Sequence, residues 1–253
     1  AGEPLSANTT HYFRGKAVNH SELSTGFVSL NTTSTLAALP VASAFVNVDI
    51  SSVIAAWTAN GNPQGTRYVA QVSTDNFTTI NLSSQTQNTS VLFGAGGAGE
   101  PLSSNTTNYF RVKAVNNNEM STIFVSLNST STLAALPVAS GFGNVDVSSV
   151  TAAWTSNGNP EGTLCEAQVS TDNYSSINFS SRTKNLNVLF GTGGAGNPLS
   201  ANTTHYFRVQ AINHNGLGSS YRVLGATSSL AAIPSADIFP VVEVSSISVQ
   251  WGG

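Results

Sequence analysis

The sequence predicts an all-β protein built from tandem sandwich domains. Three observations support this prediction: a repeat of 97 residues, short runs of alternating apolar and polar residues, and clusters of turn residues between those runs. No segment shows the sustained 3.6-residue apolar periodicity of a packed helix, so we expect almost no helix. Charged residues make up only 8% of the 253 residues. The polar surface must therefore consist mainly of Asn, Ser, Thr and Gln.

The repeat defines the domain organisation. Two sets of aromatic residues recur at intervals of 97: Tyr12, Tyr109 and Tyr206, and Trp57, Trp154 and Trp251. A period close to 100 residues matches a small independently folding domain and is too long for a solenoid turn. We predict a C-terminal part of one unit, two complete units and an N-terminal part of another, at residues 1–39, 40–136, 137–233 and 234–253. The complete units are identical at roughly two-thirds of their positions.

Each complete unit shows the pattern of short strands. In the first unit we predict strands at residues 51–57, 67–72, 79–82, 90–93, 109–115 and 124–133. The alternation is strongest in 109–115, and clusters such as Asn-Gly-Asn-Pro at 60–63 mark the turns. About seven short strands in fewer than 100 residues predict a two-sheet sandwich.

The two incomplete units carry a further expectation. Residues 1–39 should supply the last two strands of a unit, and residues 234–253 should supply the first two. Cutting a domain in this way leaves unpaired strand edges. We therefore expect the sequence to be part of a longer array of the same repeat.

Three stretches resemble the fibronectin type III family: SSVIAAWT, TRYVAQVSTD and PLSSNTTNYFRVKAVNNN. The resemblance extends over the whole chain and implies tandem seven-stranded sandwiches of immunoglobulin-like architecture. The family places a tyrosine six residues after a leucine. Counting from Leu5, Leu102 and Leu199, this position holds His11, Asn108 and His205, whose side chains can form a similar hydrogen bond. Tyr68 becomes Cys165 in the next unit, which predicts looser packing there. There is no Arg-Gly-Asp tripeptide, so integrin-type adhesion is not supported.

A glycine-rich stretch, GAGGAGEP at residues 94–101, has the G-x-G-x-x-G spacing of a dinucleotide-binding loop and returns as GTGGAGNP at 191–198. Such a loop needs a strand before it and a helix after it, because the helix N-terminus binds the pyrophosphate. Here a proline and another strand follow. We therefore interpret the stretch as a crossover between the two sheets and predict no cofactor.

Other reactive residues form no recognisable catalytic or metal-binding pattern. The histidines form two equivalent pairs, His11 with His20 and His205 with His214. Their nine-residue gap does not match usual zinc spacing, and Asn108 and Asn117 replace the pair in the middle unit. Asp75 and Asp172 are expected to cap turns, with a calcium site as the alternative interpretation. We predict Cys165 to be a buried, inert thiol, and we predict no metal and no catalytic residue.

The composition excludes several classes of partner. The net charge is −3 and no basic patch occurs, so we expect no nucleic acid as a partner. The sequence contains no run of 18 apolar residues, so it predicts no membrane-spanning segment. The single cysteine excludes an intrachain disulfide. The hydrophobic cores alone must therefore stabilise the fold.

These observations favour a non-catalytic structural repeat of a large, prokaryotic-type extracellular surface or filament-like protein. Its partners would be neighbouring domains of a longer chain or other copies of itself. Duplicating a nearly identical domain adds length or surface to the protein and adds no new chemistry. The linker between the complete units, at residues 131–137, is short, which predicts a semi-rigid rod.

Two alternatives stay open. One is an adhesin or carbohydrate-binding module, in which outward-facing tyrosines stack against glycans. The candidate contact residues are Tyr12, Tyr109 and Tyr206. We expect them to face outward because each precedes a phenylalanine that should face the core: Phe13, Phe110 and Phe207. The other is a set of spacer domains in a large secreted enzyme. The fold alone does not choose between them.

Overall fold

The computed structural model describes residues 2–236 and 240–252, and these residues form strands, turns and connecting loops. No helix occurs in either described range, which confirms the all-β prediction. The chain divides into two compact units, Ala1–Leu133 and Ala134–Gly253. The predicted domain limits at 39/40, 136/137 and 233/234 stay predictions.

The first unit contains ten strands. They are β1 (Thr10–Gly15), β2 (Val28–Ser34), β3 (Val41–Ala42), β4 (Asn47–Val48), β5 (Ser52–Thr58), β6 (Arg67–Ser73), β7 (Leu82–Thr86), β8 (Ser90–Gly94), β9 (Thr107–Val115) and β10 (Val125–Ser131). Strands β3 to β10 form one sandwich, in which β3 and β4 are two short segments of one edge strand pairing with β5.

Two antiparallel sheets make up this sandwich. In one sheet, β5 pairs with β3 and β4 along one edge and with β8 along the other. In the other sheet the strand order is β10-β9-β6-β7. Counting β3 and β4 as one interrupted strand, the domain has the seven strands that the sequence predicts. Alternation places every second residue of β9 in the core, as the burial pattern of that strand shows.

The second unit repeats this arrangement. Its strands are β11 (Val138–Gly143), β12 (Ser149–Thr155), β13 (Leu164–Ser170), β14 (Phe179–Thr183), β15 (Asn187–Gly191), β16 (Thr204–Ile212), β17 (Arg222–Ser228), β18 (Ser235–Ala236), β19 (Val241–Val242), β20 (Ile247–Ser248) and β21 (Trp251–Gly252). The sheets of the complete domain are β11-β12-β15 and β14-β13-β16-β17.

Each sandwich has one hydrophobic core between its sheets. In the first, Phe110 is fully buried and its ring centroid lies 5.1 Å from that of Phe45 and 5.9 Å from that of Phe93. Phe207 makes the equivalent contacts in the second sandwich. Aromatic pairs at such distances add to the stabilisation that comes from burying their apolar surface.

The sequence flanking the two complete domains forms only small sheets. Strands β1 and β2 pair with each other, and the final residues form the pairs β18-β21 and β19-β20. Within the described residues no second sheet covers the β1-β2 hairpin. Phe13, predicted to face inward, is therefore 45% exposed, whereas its equivalents in the complete domains are fully buried.

One predicted strand is wrong in position. Residues 79–82 were expected to be extended, but the strand is β7, which begins at Leu82. The preceding residues form a turn in which the Asp75 carboxylate accepts hydrogen bonds from the Thr79 amide and hydroxyl, at 2.9 Å and 2.7 Å. These bonds hold the pKa of Asp75 at about 2. Asp172 caps the equivalent turn, as the sequence predicts.

Candidate functional site

The glycine-rich stretch crosses from β8 in one sheet to β9 in the other, as the sequence predicts. Its backbone amides are used within the loop: Gly94 N donates to Ala98 O at 3.1 Å, and Ala98 N donates to Leu92 O at 2.8 Å. Gly97 N donates to Gly94 O at 2.9 Å. A phosphate site needs such amides pointing outward at the head of a helix. This loop therefore lacks the geometry of a nucleotide site.

Within the described residues, the side chains that could bind a metal do not cluster. Nowhere in residues 2–236 and 240–252 do three or more His, Cys, Asp or Glu side chains gather closely enough to hold a metal ion. That part of the chain also contains no helix that could cross a membrane. Cys165 is buried, and burial raises the pKa of its thiol.

The three positions where the fibronectin type III family has its tyrosine, His11, Asn108 and His205, differ in their hydrogen bonds and burial. Asn108 donates from Nδ2 to Thr106 O at 2.8 Å. This bond is local and lies at the start of β9. The Nε2 atom of His11 is buried without a hydrogen-bond partner. His205 is 2% exposed, both of its ring nitrogens are buried without a hydrogen-bond partner, and burial lowers its pKa.

We expect the second sandwich to lose stability in mild acid because of His205. A histidine with a lowered folded-state pKa binds fewer protons when folded than when unfolded. Its contribution is therefore present above the unfolded pKa of about 6.5 and is lost as the pH falls below that value, by at most about 1.4 kcal/mol per pH unit. Urea unfolding at pH 7 and pH 5.5 should show this loss. His205→Asn, the residue of the first domain, should remove it, and the exposed His20→Asn should not.

The three candidate tyrosines lie on equivalent strands but differ in exposure. Tyr12 is 83% exposed, whereas Tyr109 and Tyr206 are half-buried. The ring of Tyr206 packs edge-on against Tyr174, with centroids 6.3 Å apart. The role of the three tyrosines in surface contact stays a prediction.

The outer face of the four-stranded sheet carries an arginine clamped between two aromatic rings. In the first domain, the Arg111 guanidinium lies 4.1 Å from the centroid of Phe77 and 4.2 Å from that of Phe124. Arg111 Nε donates to Gln71 Oε1 at 2.9 Å, and Lys113 Nζ lies 5.1 Å from the Phe124 ring. Tyr109 is two residues away on the same face of β9. We call Tyr109, Arg111, Lys113, Phe77 and Phe124 the cation face.

The second domain carries the same arrangement with a carboxylate, Glu166, added beside it. Arg208 lies between Tyr174 and Tyr221, at 4.6 Å and 4.2 Å from their ring centroids. Tyr221 donates its hydroxyl to Glu166 at 2.9 Å, which together with burial raises the pKa of Tyr221 to about 12. Glu166 also pairs with Arg182 at 2.9 Å. Neither described ion pair involves Arg111.

A buried polar junction joins the β1-β2 hairpin to the first complete domain. Asn8 is 3% exposed and adopts a left-handed conformation with φ of 45°. Its Nδ2 donates to Thr66 Oγ1 at 2.9 Å, and its Oδ1 accepts from Asn117 N at 2.8 Å. Asn117 Nδ2 returns a bond to Asn8 O at 3.3 Å. One asparagine therefore links two separate segments of the neighbouring domain.

Two further asparagines complete the junction. Asn116 Nδ2 donates to Thr35 O at 3.1 Å, and Asn118 Nδ2 donates to Thr33 Oγ1 at 3.0 Å. Asn116 Oδ1 also accepts two amides of its own turn, which fixes the shape of that turn. We call Asn8, Thr66 and residues 116–118 the asparagine junction.

The linker between the hairpin and the domain is also held by a side chain. Asn62 Oδ1 accepts from Ala38 N at 2.7 Å, and its Nδ2 donates to Ala38 O and Ala59 O, each at 2.8 Å. In the second unit, Asn159 binds Ala135 in the same way. Sequence reasoning identified 60–63 and 116–118 as turns and missed their role in joining domains. The signal was the recurrence of Asn62 and Asn116 as asparagine at intervals of 97; Asn117 gave no such signal, because histidine stands at its equivalent positions.

Comparison with known proteins places this fold. The structure is similar to a two-domain fibronectin type III segment from chicken tenascin, with a TM-score of 0.50 and 10% sequence identity, over 76% of this chain and 100% of that segment. A three-domain segment of chicken CNTN1 matches at a TM-score of 0.32 and 11% identity, over 88% of this chain and 78% of that one. No protein-family model and no curated protein matches the sequence. The chain consists of tandem fibronectin type III-like domains, which confirms the predicted fold.

Proposed function

We propose that the chain is a non-catalytic structural repeat of an extracellular surface or filament-like protein, acting as a semi-rigid spacer. The asparagine junction supports this proposal most directly. A flexible string of domains has no need for a buried hydrogen-bonded contact between neighbours. Here Asn8 and Asn117 exchange bonds across that contact, and Asn62 holds the linker.

The energetics of the junction favour a single orientation. A satisfied buried hydrogen bond contributes about 1 kcal/mol, but a buried donor or acceptor left without its partner costs about 1–3 kcal/mol. Rotating the hairpin away from the domain would break the bonds of Asn8, Asn116 and Asn118 together. A set of polar partners that must all be satisfied therefore selects one geometry more sharply than an apolar contact of equal area.

The test is a distance measurement across the junction. Spin labels on Ser29→Cys and Gln85→Cys, both exposed positions, in a Cys165→Ala background should give one narrow distance distribution. Asn8→Gly removes both side-chain bonds and tolerates the left-handed backbone, so it should broaden that distribution. Asn76→Gly, an exposed turn residue with a similar φ of 55°, is the matched control and should leave it narrow. A broad distribution in the unmodified protein contradicts a semi-rigid spacer.

The cation face favours glycan binding as a second candidate function. An aromatic ring beside a clamped arginine can stack on a sugar while the guanidinium edge donates hydrogen bonds. If this face binds glycans, Tyr109→Ala should weaken binding by about tenfold or more, as loss of an interface anchor does. Affinity measured on an array of neutral and acidic glycans checks this. Gln85→Ala, exposed on the same sheet, is the control, and equal binding by both variants contradicts the role of Tyr109.

A further inference from the structure

The second domain contains a partly enclosed cavity of about 180 Å³ beside Cys165. Pro137, Pro160, Cys165 and Leu186 give it a mostly apolar lining, and Lys184 is also part of its wall. Cys165 is 3% exposed, so the thiol forms part of the buried wall. A cavity of about 150 Å³ with an apolar lining is large enough to hold a benzene ring.

The preceding repeat shows what occupies this position there. Tyr68 stands 97 residues before Cys165, is 1% exposed, and packs its ring 5.5 Å from that of Trp57. Its domain also has a groove at this place, of about 410 Å³, which is wider, more open and more polar and has Tyr68 in its wall. Trp154, the equivalent of Trp57, has no such ring beside it, because a cysteine replaces the tyrosine.

Several differences between the two repeats coincide in this one place. Among repeats identical at roughly two-thirds of their positions, five lining positions of the cavity differ. The changes are Ala59 to Ser156, Gln64 to Glu161, Tyr68 to Cys165, Gln87 to Lys184 and Thr89 to Leu186. The Tyr68 to Cys165 change removes a ring from the wall, and the Thr89 to Leu186 change makes the wall more apolar. A cavity that loses its own ring while its wall becomes more apolar has a surface suited to an aromatic group from outside the domain.

We propose that this cavity binds a single aromatic ring of the phenol type, seated against Cys165 where the preceding repeat places the ring of Tyr68. The ring fills space that the protein leaves empty and restores the dispersion contacts that a tightly packed interior makes. Two sources supply this chemistry, a free phenolic compound and a tyrosine side chain of another polypeptide. The glutamate and lysine of the cavity, Glu161 and Lys184, are the polar groups that substituents on the ring would meet.

The test uses the full chain and two probes, p-cresol and N-acetyl-tyrosinamide, followed by amide chemical shifts in NMR. We expect p-cresol to shift resonances of Cys165, Lys184 and Leu186 and to saturate with a dissociation constant on the order of 1 mM or tighter, as the efficiency of small ligands allows. Saturation by N-acetyl-tyrosinamide as well indicates that a ring attached to a peptide enters. Binding of p-cresol alone indicates a small-molecule site.

Two reciprocal variants make the result specific. Cys165→Tyr, the residue of the preceding repeat, should place a ring at the proposed ring position and abolish the shifts, while Tyr68→Cys should free that position in the groove of the first domain and produce shifts there. Leu186→Thr keeps the cysteine and should weaken p-cresol binding at least threefold, which covers the case in which Cys165→Tyr does not fold. Absence of saturable shifts at 10 mM p-cresol, or shifts that Leu186→Thr leaves unchanged, overturns the proposal.

Discussion

Phe110→Ala should destabilise the first complete domain by about 3–5 kcal/mol, the usual cost of deleting a buried phenylalanine ring. Phe110 is fully buried at the centre of the core, in contact with Phe45 from the edge-strand connection and Phe93 from the opposite sheet. The substitution removes contacts with both sheets at once and leaves a cavity. Because small domains have about 5–15 kcal/mol of stability in total, the domain would lose a large part of it.

Urea unfolding followed by tryptophan fluorescence measures this loss. The matched control is Tyr109→Ala, at the preceding residue of the same strand, which is half-buried on the outer face. It should cost much less, because the lost ring leaves no enclosed cavity. Phe13→Ala in the hairpin removes an equivalent but 45% exposed ring and should also cost little. Equal destabilisation by Phe110→Ala and Tyr109→Ala contradicts the assigned alternation of β9.

The contrast between these neighbouring residues shows why most of the fold is predictable from the sequence. In β9, every second side chain enters the core, so the sequence alternates between apolar and polar residues and the strand is predicted almost in full. Strand β7, with the sequence Leu-Ser-Ser-Gln-Thr, lies at a sheet edge and buries no side chain fully. It therefore carries almost no hydrophobic pattern, and the predicted strand was placed too early.

The asparagine junction was not predictable by the same reasoning. Its residues, such as Asn8 and Asn117, are polar and lie in turns, where asparagine is common for purely local reasons. Their function depends on partners that are 58 and 109 residues apart in sequence. Hydrophobic periodicity contains no information about such contacts. The repeat itself was a stronger guide for Asn8, which recurs as Asn105 and Asn202, because a residue type kept at intervals of 97 in a turn indicates a shared structural requirement.

Gly94→Ala should destabilise the first domain by about 2–5 kcal/mol, because this position combines two restrictions. Its φ is +91°, a conformation that L-residues with a side chain rarely adopt. A Cβ atom there would lie 2.2 Å from the Ser51 carbonyl oxygen. That oxygen already accepts hydrogen bonds from Ala95 N at 3.0 Å and Leu102 N at 2.9 Å. The methyl group would displace the carbonyl that ties both ends of the crossover to β5.

A neighbouring glycine separates the two effects. Gly96 has a similar φ of +78°, but a Cβ atom there would meet only Leu92 Cδ2, at 4.0 Å. Gly96→Ala should therefore cost about 1 kcal/mol, the conformational part alone. Thermal unfolding of both variants against the unmodified chain gives the difference, which measures the steric part. If the two substitutions cost the same, the close approach to Ser51 is unimportant. If Gly94→Ala costs more, glycine at 94 is required by the close packing of the crossover against the start of β5, and a nucleotide is not needed to explain it.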